Sequence, residues 1–437
     1  MKQWMRMNKT WPLYLAFLIE ILFIFYYKGE FGYLVSPLLY LFAGLFLAVF
    51  PYFISRKNPL GADAYFVEFN EPNLSSSAKT SSIIWGVFLV LTVLLGIGVS
   101  VLIGKYPIDI NHSDIIPFIQ NVYVDRVQNG EQIYAEVEGY GYGKFHPGYL
   151  PFHWMFFVVS AYLHVDHRWV PFAIFIIASA IYTGVLLRNF SELKKLILLL
   201  LLPFFVLFTI YYENSSDAMH TIEILVLGYY LILSVSLFSR NALVQAGGLV
   251  LPILSRYSLV FWLPFHFLKM LPLQVNRFFK VGFSLLALVA IFIIPFLINT
   301  PDMFVGFNGA YMTAAIGEWD GQAWQKPGDE PFQLFRGLGL ASWYYKFYPG
   351  TLEQKISALQ KTMLYVSMGA VVLLWLLRNK IGKVLPANIF SLLALKFVLT
   401  LFYAFMIIPY NYLNWVPVIL SVVILSRIKE NLFVNAK

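Results

Sequence analysis

Apolar runs recur along the chain at 11–27, 33–54, 82–104, 169–187, 195–212, 218–238, 281–298, 361–377, 386–408 and 413–426, each followed by a polar interval. Most approach the ~20 residues that an α-helix needs to cross a bilayer. Two shorter runs, 242–255 and 257–270, meet at Ser255-Arg256-Tyr257 just after Pro252. They predict a broken pair of helices, which a membrane protein tolerates where the break lines a protein cavity. The run at 150–163 is too short to span and predicts a re-entrant or juxtamembrane helix. The pattern therefore predicts an all-α polytopic membrane protein, a bundle of about twelve spanning helices in a single transmembrane domain over 1–437.

Positive charge orients this bundle. Lys2, Arg6 and Lys9, then Arg56, Lys57 and Lys79, then Arg188, Lys194 and Lys195 fall in alternate intervals, as do Arg240, the group Lys269, Arg277 and Lys280, the group Arg378, Lys380 and Lys383, and finally Arg427, Lys429 and Lys437. Lys and Arg concentrate on cytoplasmic loops, so both termini are expected in the cytoplasm. The intervals 105–150 and 299–360 then become two large extracytoplasmic loops. The first apolar run follows a basic segment without a small-x-small cleavage site, which reads as an uncleaved anchor.

Composition agrees with this reading. At 437 residues, 59% hydrophobic and 12% charged, with mean hydropathy +0.70, the chain has no room for a separate soluble nucleotide-binding domain. The net charge of +8 is explained by the loop bias and calls for no nucleic-acid partner. The absence of Cys excludes disulfides, Cys-ligated zinc and a thiol nucleophile.

The chemistry-bearing residues cluster in the intervals assigned outside. Asp114 stands between His112 and the run Ile115-Ile116-Pro117-Phe118. A carboxylate against apolar surface is partly desolvated and suits a general base, although Ser113-Asp114 also suits a helix N-cap. Asp217 and His220 are one helical turn apart at the expected start of the 218–238 helix, where Ser215, Ser216 or Asp217 also suits a cap. Glu223 lies one turn further on, and a buried acid needs a partner such as Lys396. Arg256 interrupts an apolar run, and with Lys144 and Arg336 it is a candidate for holding phosphate; Arg168 serves equally as a snorkelling side chain. Trp319, Trp324, Trp343, Tyr344 and Tyr345 suit either stacking on sugar rings or an interfacial aromatic belt. Gly139 to Lys144 lacks the context of a phosphate loop and reads as a flexible turn. There is no His-Glu-x-x-His and no Gly-x-Ser-x-Gly. Metal binding is unassigned, and the residues are compatible with a Mg or Mn ion bridging one carboxylate and a substrate phosphate.

The order Ser113-Asp114-Ile115-Ile116-Pro117-Phe118, then Val127-Gln128-Asn129-Gly130-Glu131-Gln132-Ile133-Tyr134, then Phe145-His146-Pro147-Gly148-Tyr149-Leu150 resembles the first extracytoplasmic loop of GT-C membrane glycosyltransferases. In that superfamily an acidic residue follows the delivering helix, a Gly-x-x-x-Tyr step comes next, and a Tyr-Pro-Pro-Leu-like turn re-enters the bilayer. This chain reads His-Pro-Gly at the turn. The resemblance implies transfer of a sugar from a polyprenyl-phosphate donor to a glycan, lipid or protein acceptor outside a bacterial cytoplasmic membrane. Asp114, Asp217 and His220 would be the catalytic group, with His112, Tyr134, His146, Trp319 and Trp343 around the substrate. The rival classes are a polytopic transporter or flippase, and a ligase or polymerase of lipid-linked glycans that relies on Arg and His.

The topology has a direct test in this Cys-free chain. A cysteine at Ser113 is expected to react with an impermeant thiol reagent from outside intact cells, and one at Ser191 only after permeabilisation; the reverse order of labelling overturns the orientation.

Overall fold

The computed structural model describes residues 10–26, 32–57, 76–108, 115–138, 144–271, 274–298, 306–321, 325–326 and 328–428. Helix dominates, and the sheet among the described residues is one antiparallel pair, Val137–Glu138 with Lys144–Phe145. Among the described residues seven helices are long and apolar enough to cross a membrane: Val35–Arg56, Ala78–Lys105, Trp169–Asn189, Leu193–Glu213, Val275–Phe296, Leu352–Gly382 and Ala387–Ala404. Shorter apolar helices occur at Trp11–Ile24, Glu223–Ser236, Ala242–Ile253 and Asn411–Ser426. The predicted 257–270 element is a 3-10 turn, Tyr257–Phe261, followed by the helix Leu263–Met270.

Helix Glu223–Ser236 is enclosed on all sides, with every residue but Ile232 buried, and packs against Trp169–Asn189, Ala242–Ile253 and Trp415–Ser426. Small residues permit this closeness. A Cβ on Gly228 would lie 3.2 Å from the carbonyl oxygen of Ile174 and 3.2 Å from the Cα of Phe175, and one on Gly248 would overlap Ser236. Close backbone approach of this kind is how helices associate where lipid removes the hydrophobic drive. By contrast, Ala78–Lys105 leaves Leu89, Val90, Val93, Leu94, Ile97 and Val101 exposed, and Val275–Leu297 leaves Phe283, Leu286 and Ile291 exposed. Faces so apolar require a nonpolar surrounding, as a membrane provides.

The short helix expected at 150–163 is Pro151–Tyr162, 12 residues and about 18 Å long, well below the ~30 Å of a hydrocarbon core. Leu352–Gly382 is 31 residues and about 46 Å long, so its first turns extend beyond the predicted 361–377 span. Both intervals expected as loops contain further structure. The first holds Ile116–Phe118, a π-helical Ile119–Val124 and Asp125–Asn129; the second holds Gly306–Asp320, Phe332–Arg336 and Ala341–Phe347.

One ion pair lies deep in the apolar bundle. Lys396 and Glu20, both fully buried, pair side chain to side chain; Lys396 Nζ also donates to the Pro417 carbonyl at 2.8 Å, and Ser421 donates to Glu20 at 2.6 Å. Gly44 leaves the space beside Glu20 and Thr400 that a side chain would close. The expectation that Lys396 partners Glu223 is thus corrected: Lys396 sits across from the first helix, and Glu223 has another partner described below.

Truncating one member of such a pair strands a charge in a low-dielectric interior, whereas replacing both with apolar groups does not. Lys396→Met is expected to destabilise the protein in detergent by about 3 kcal/mol, and Glu20→Leu/Lys396→Met to recover most of the loss. Denaturant or thermal unfolding of the three variants measures both effects.

Candidate functional site

The site begins at the backbone break after Pro252. Helix Ala242–Ile253 ends there, and the carbonyls of Leu254 and Ser255 lose their helical donors. The short helix Pro151–Tyr162 supplies replacements from its first turn: the Phe152 N–H donates to Leu254 O at 2.9 Å, and His153 Nδ1 lies 3.3 Å from Ser255 O. Tyr229 from the enclosed helix donates to Phe152 O at 2.8 Å and holds this turn in place. Because a carbonyl only accepts, the proton of His153 belongs on Nδ1, and its buried Nε2 is an acceptor with no partner among the described residues. Burial and the neighbouring positive charge of Arg256 push the His153 imidazole down to about 3, so it is neutral at pH 7.

Arg256 stands on the break and pairs through Nη2 with Glu223, the first residue of the enclosed helix. Glu223 is fully buried and the Arg256 side chain is 19% exposed. Glu223 Oε2 and Arg256 Nε are buried without a partner among the described residues, so each group keeps hydrogen-bonding capacity. Sequence reasoning gave Arg256 to phosphate and did not foresee Glu223 or His153 beside it. The available signal was that all three interrupt apolar runs.

The loop expected to carry catalysis meets this break through a chain of aromatic hydrogen bonds. Trp154 Nε1 donates to Tyr134 Oη at 3.1 Å, Tyr134 donates to Tyr149 O at 2.8 Å, and the Tyr149 N–H donates to Tyr123 Oη at 2.8 Å. Tyr149 stacks on His153 with ring centroids 4.2 Å apart. Tyr123 lies in the π-helical stretch, and burial raises its hydroxyl and that of Tyr134 above the ordinary tyrosine range. Tyr134 is therefore a strut of the loop: it is fully buried and its hydroxyl is bonded on both sides. His146, half-buried, approaches Tyr134 O through Nδ1 at 3.1 Å. Lys144 is exposed on the two-residue strand opposite Glu138. Asp114 and His112 lie outside the described residues, as do residues 139–143 and Trp324.

Asp217 and His220 share a six-residue helix of their own, Ser215–His220, which corrects their placement on the first turn of 218–238. Thr221 leaves the helical conformation at φ −115° and ψ 171°, and the next helix starts at Glu223. The short helix is tied to the end of Ala78–Lys105 by Tyr106, whose hydroxyl is 2.8 Å from Ser215 Oγ and whose ring meets His220 edge to face at 6.3 Å. Arg168 is clamped by Asp166 and donates to the carbonyl of Tyr106, so it is a structural tie. Asn411 Nδ2 donates to Asn214 Oδ1 at 3.0 Å and brings the last helix to the same end.

The second polar interval closes over that end. Trp319 is fully buried with Nε1 donating to Ile407 O at 2.9 Å, and Trp343 Nε1 donates to Leu34 O at 2.8 Å. Both indoles are packed and hydrogen-bonded into the protein. Arg336 is exposed and lies over the Phe332 ring at 4.0 Å. Helix Gly306–Asp320 touches the strand Lys144–Phe145, so both polar intervals share one end of the bundle. Among the described residues no three of His, Asp or Glu gather as a metal site.

The Glu223–Arg256 pair makes a sign-specific prediction. Arg256→Ala strands a buried carboxylate and is expected to cost about 3 kcal/mol, somewhat less where water reaches the vacated position. Glu223→Gln/Arg256→Met is expected to restore most of the melting temperature, and a loss in the double variant equal to the sum of the Glu223→Gln and Arg256→Met losses would show that the pair carries no coupling. Comparison of the chain with family models, with curated proteins and with solved structures finds no match.

Proposed function

We propose that this chain is a GT-C-type integral-membrane glycosyltransferase that takes a sugar from a polyprenyl-phosphate donor and passes it to an extracytoplasmic glycan, lipid or protein acceptor. The observation that carries this reading is convergence. Polar groups from three distant parts of the chain, Tyr149 with His153, Glu223, and Ser255 with Arg256, come together in an apolar bundle, with a guanidinium on a helix break among them. A lipid-phosphate donor presents this requirement: an apolar approach for the polyprenyl chain, and a cation at the membrane surface for the phosphate.

In this reading the acceptor hydroxyl oxygen attacks the anomeric carbon and forms the new glycosidic bond. The bond from that carbon to the phosphate oxygen breaks, and polyprenyl phosphate leaves with the electron pair. The acceptor proton passes to the Asp114 carboxylate. Arg256 stabilises the leaving phosphate, with Glu223 holding its guanidinium so that little reorganisation is needed. Lys144 and Arg336, both exposed, supply long-range positive potential. A Mg or Mn ion, where one is used, would be held by a carboxylate such as Asp217 and would offset the negative charge of the leaving phosphate. The orientation that serves this chemistry has both termini in the cytoplasm of a bacterium and about twelve spanning elements, counting the short helices that pair across the break.

A second reading has its own observation. The neutral imidazole of His153 beside Arg256 is the kind of pair on which a ligase or polymerase of lipid-linked glycans would rely, with no need of Asp114. Vectorial transport is the third outcome.

Purified protein supplied with labelled polyprenyl-phosphate sugars separates the three. Transfer yields polyprenyl phosphate and a new glycoside, and Asp114→Asn lowers its rate by roughly a hundredfold while thermal stability is kept. A ligase retains turnover in Asp114→Asn but loses it in His153→Gln. Movement of intact donor across a sealed bilayer without glycoside formation sinks both enzymatic readings.

A further inference from the structure

At the far end of the same helices lies a cavity of about 140 Å³ that the proposed chemistry does not use. Helix Val275–Leu297 connects the two ends: Phe296 packs on Tyr134, and Arg277, 19 positions earlier and about 28 Å away along the helix, lines the cavity. Lys269, Arg378 and His266 line it as well, and no carboxylate does among the described residues.

The cations in this cavity are held by neutral groups. Arg277 donates to Gln245 at 3.3 Å, to Gln274 at 3.4 Å and to the Ser239 carbonyl at 2.5 Å. Lys269 donates to the Ala387 carbonyl and, at 2.5 Å, to Ser391. Arg378 rests over the Trp375 ring at 4.1 Å and donates to the Trp375 carbonyl at 2.8 Å. Amides, hydroxyls and carbonyls orient these groups but leave their charge uncompensated, and like charges around one void repel.

His266 adds an independent observation. Its ring is 2% exposed, Nδ1 lies 3.2 Å from Ser391 Oγ, and Nε2 has no hydrogen-bond partner among the described residues. Lys269 only donates, so Ser391 accepts from it and has its own proton to give to His266 Nδ1. This arrangement puts the imidazole proton on Nε2, a buried donor without an acceptor among the described residues, on a side chain that lines the cavity. A buried donor left unmatched costs stability until something accepts from it.

We propose that this cavity binds a phosphate-bearing anion, held by Arg277, Arg378 and Lys269 with the Nε2–H of His266 completing the cradle. Guanidinium forks and an ammonium match phosphate oxygens, and the anion supplies the missing negative charge. The phosphate group is common to two sources, a free inorganic anion and the headgroup of an anionic phospholipid. The site is independent of the reaction at the other end, and its test reads binding alone.

The full chain, purified in detergent without phosphate, is melted against rising inorganic phosphate with chloride at matched ionic strength as reference, and again in nanodiscs of phosphatidylcholine with or without phosphatidylglycerol. A saturable rise in melting temperature of about 2 °C or more is expected in one arm, since a ligand that binds the folded state stabilises it. A response to phosphate identifies the free anion, and a response to phosphatidylglycerol alone identifies the lipid headgroup. Lys269→Gln/Arg277→Gln is expected to abolish the response, while Lys194→Gln, which removes an exposed charge elsewhere, keeps it. Should the double variant fail to fold, Arg378→Gln stands in for it and is expected to lose at least half of the shift. The proposal is overturned by a native chain that responds in neither arm, or by a cavity variant that responds as fully as the native chain.

Discussion

Charge inside an apolar bundle is the constraint on which this structure depends. Removing an ion from water costs far more than one hydrogen bond returns, so an interior charge is stable with a partner and best with its remaining valences filled. Among the described residues, two pairs with a fully buried carboxylate stand in different states of completion. Glu20–Lys396 is fully buried and supplemented by Ser421 and the Pro417 carbonyl, the arrangement of a structural pin. Glu223–Arg256 is buried on one side, partly exposed on the other, and keeps unpaired valences on both members. Incomplete satisfaction at a helix break makes the second pair the natural place for a polar ligand.

The break at Arg256 is supported from several directions. Pro252 and the following turn open the helix, the first turn of Pro151–Tyr162 fills the carbonyls that are released, and Tyr229 fixes that turn from the enclosed helix. The enclosed helix can come so close because Gly228 and Gly248 present no side chain at the crossings. Loss of a Cβ in two places thus connects, through packing, to the position of a guanidinium. The aromatic chain Trp154, Tyr134, Tyr149 and Tyr123 then fastens the π-helical stretch around Tyr123 and the segment at Tyr134 to the same point.

The two ends of the bundle have opposite electrostatic character. One has carboxylates, imidazoles and a paired arginine under a cover of packed indoles. The other gathers cations around a void and balances them only with neutral dipoles. Lys269, Arg277 and Arg378 belong to Lys- and Arg-rich intervals of the sequence, which explains why cations are abundant at the second end. It does not explain why they converge on a shared cavity, which is a matter of packing.

Hydropathy alone determined that the chain is helical and suited to a membrane, because exposure of whole apolar faces such as that of Ala78–Lys105 has no other solution. It also marked the short helix at 150–163 and the break at Ser255-Arg256, since length against bilayer thickness is a local property. Local pattern did not reach the helix ends and loops: the split at Thr221 that separates Asp217 and His220 from the 223–236 helix, the π-helical turn around Tyr123, and the full length of Leu352–Gly382. Partnerships lay further beyond it. Glu223 with Arg256, Glu20 with Lys396 and Tyr134 with Trp154 join residues whose pairing depends on which helices touch and at what depth, a relation that tertiary packing creates and no single segment encodes.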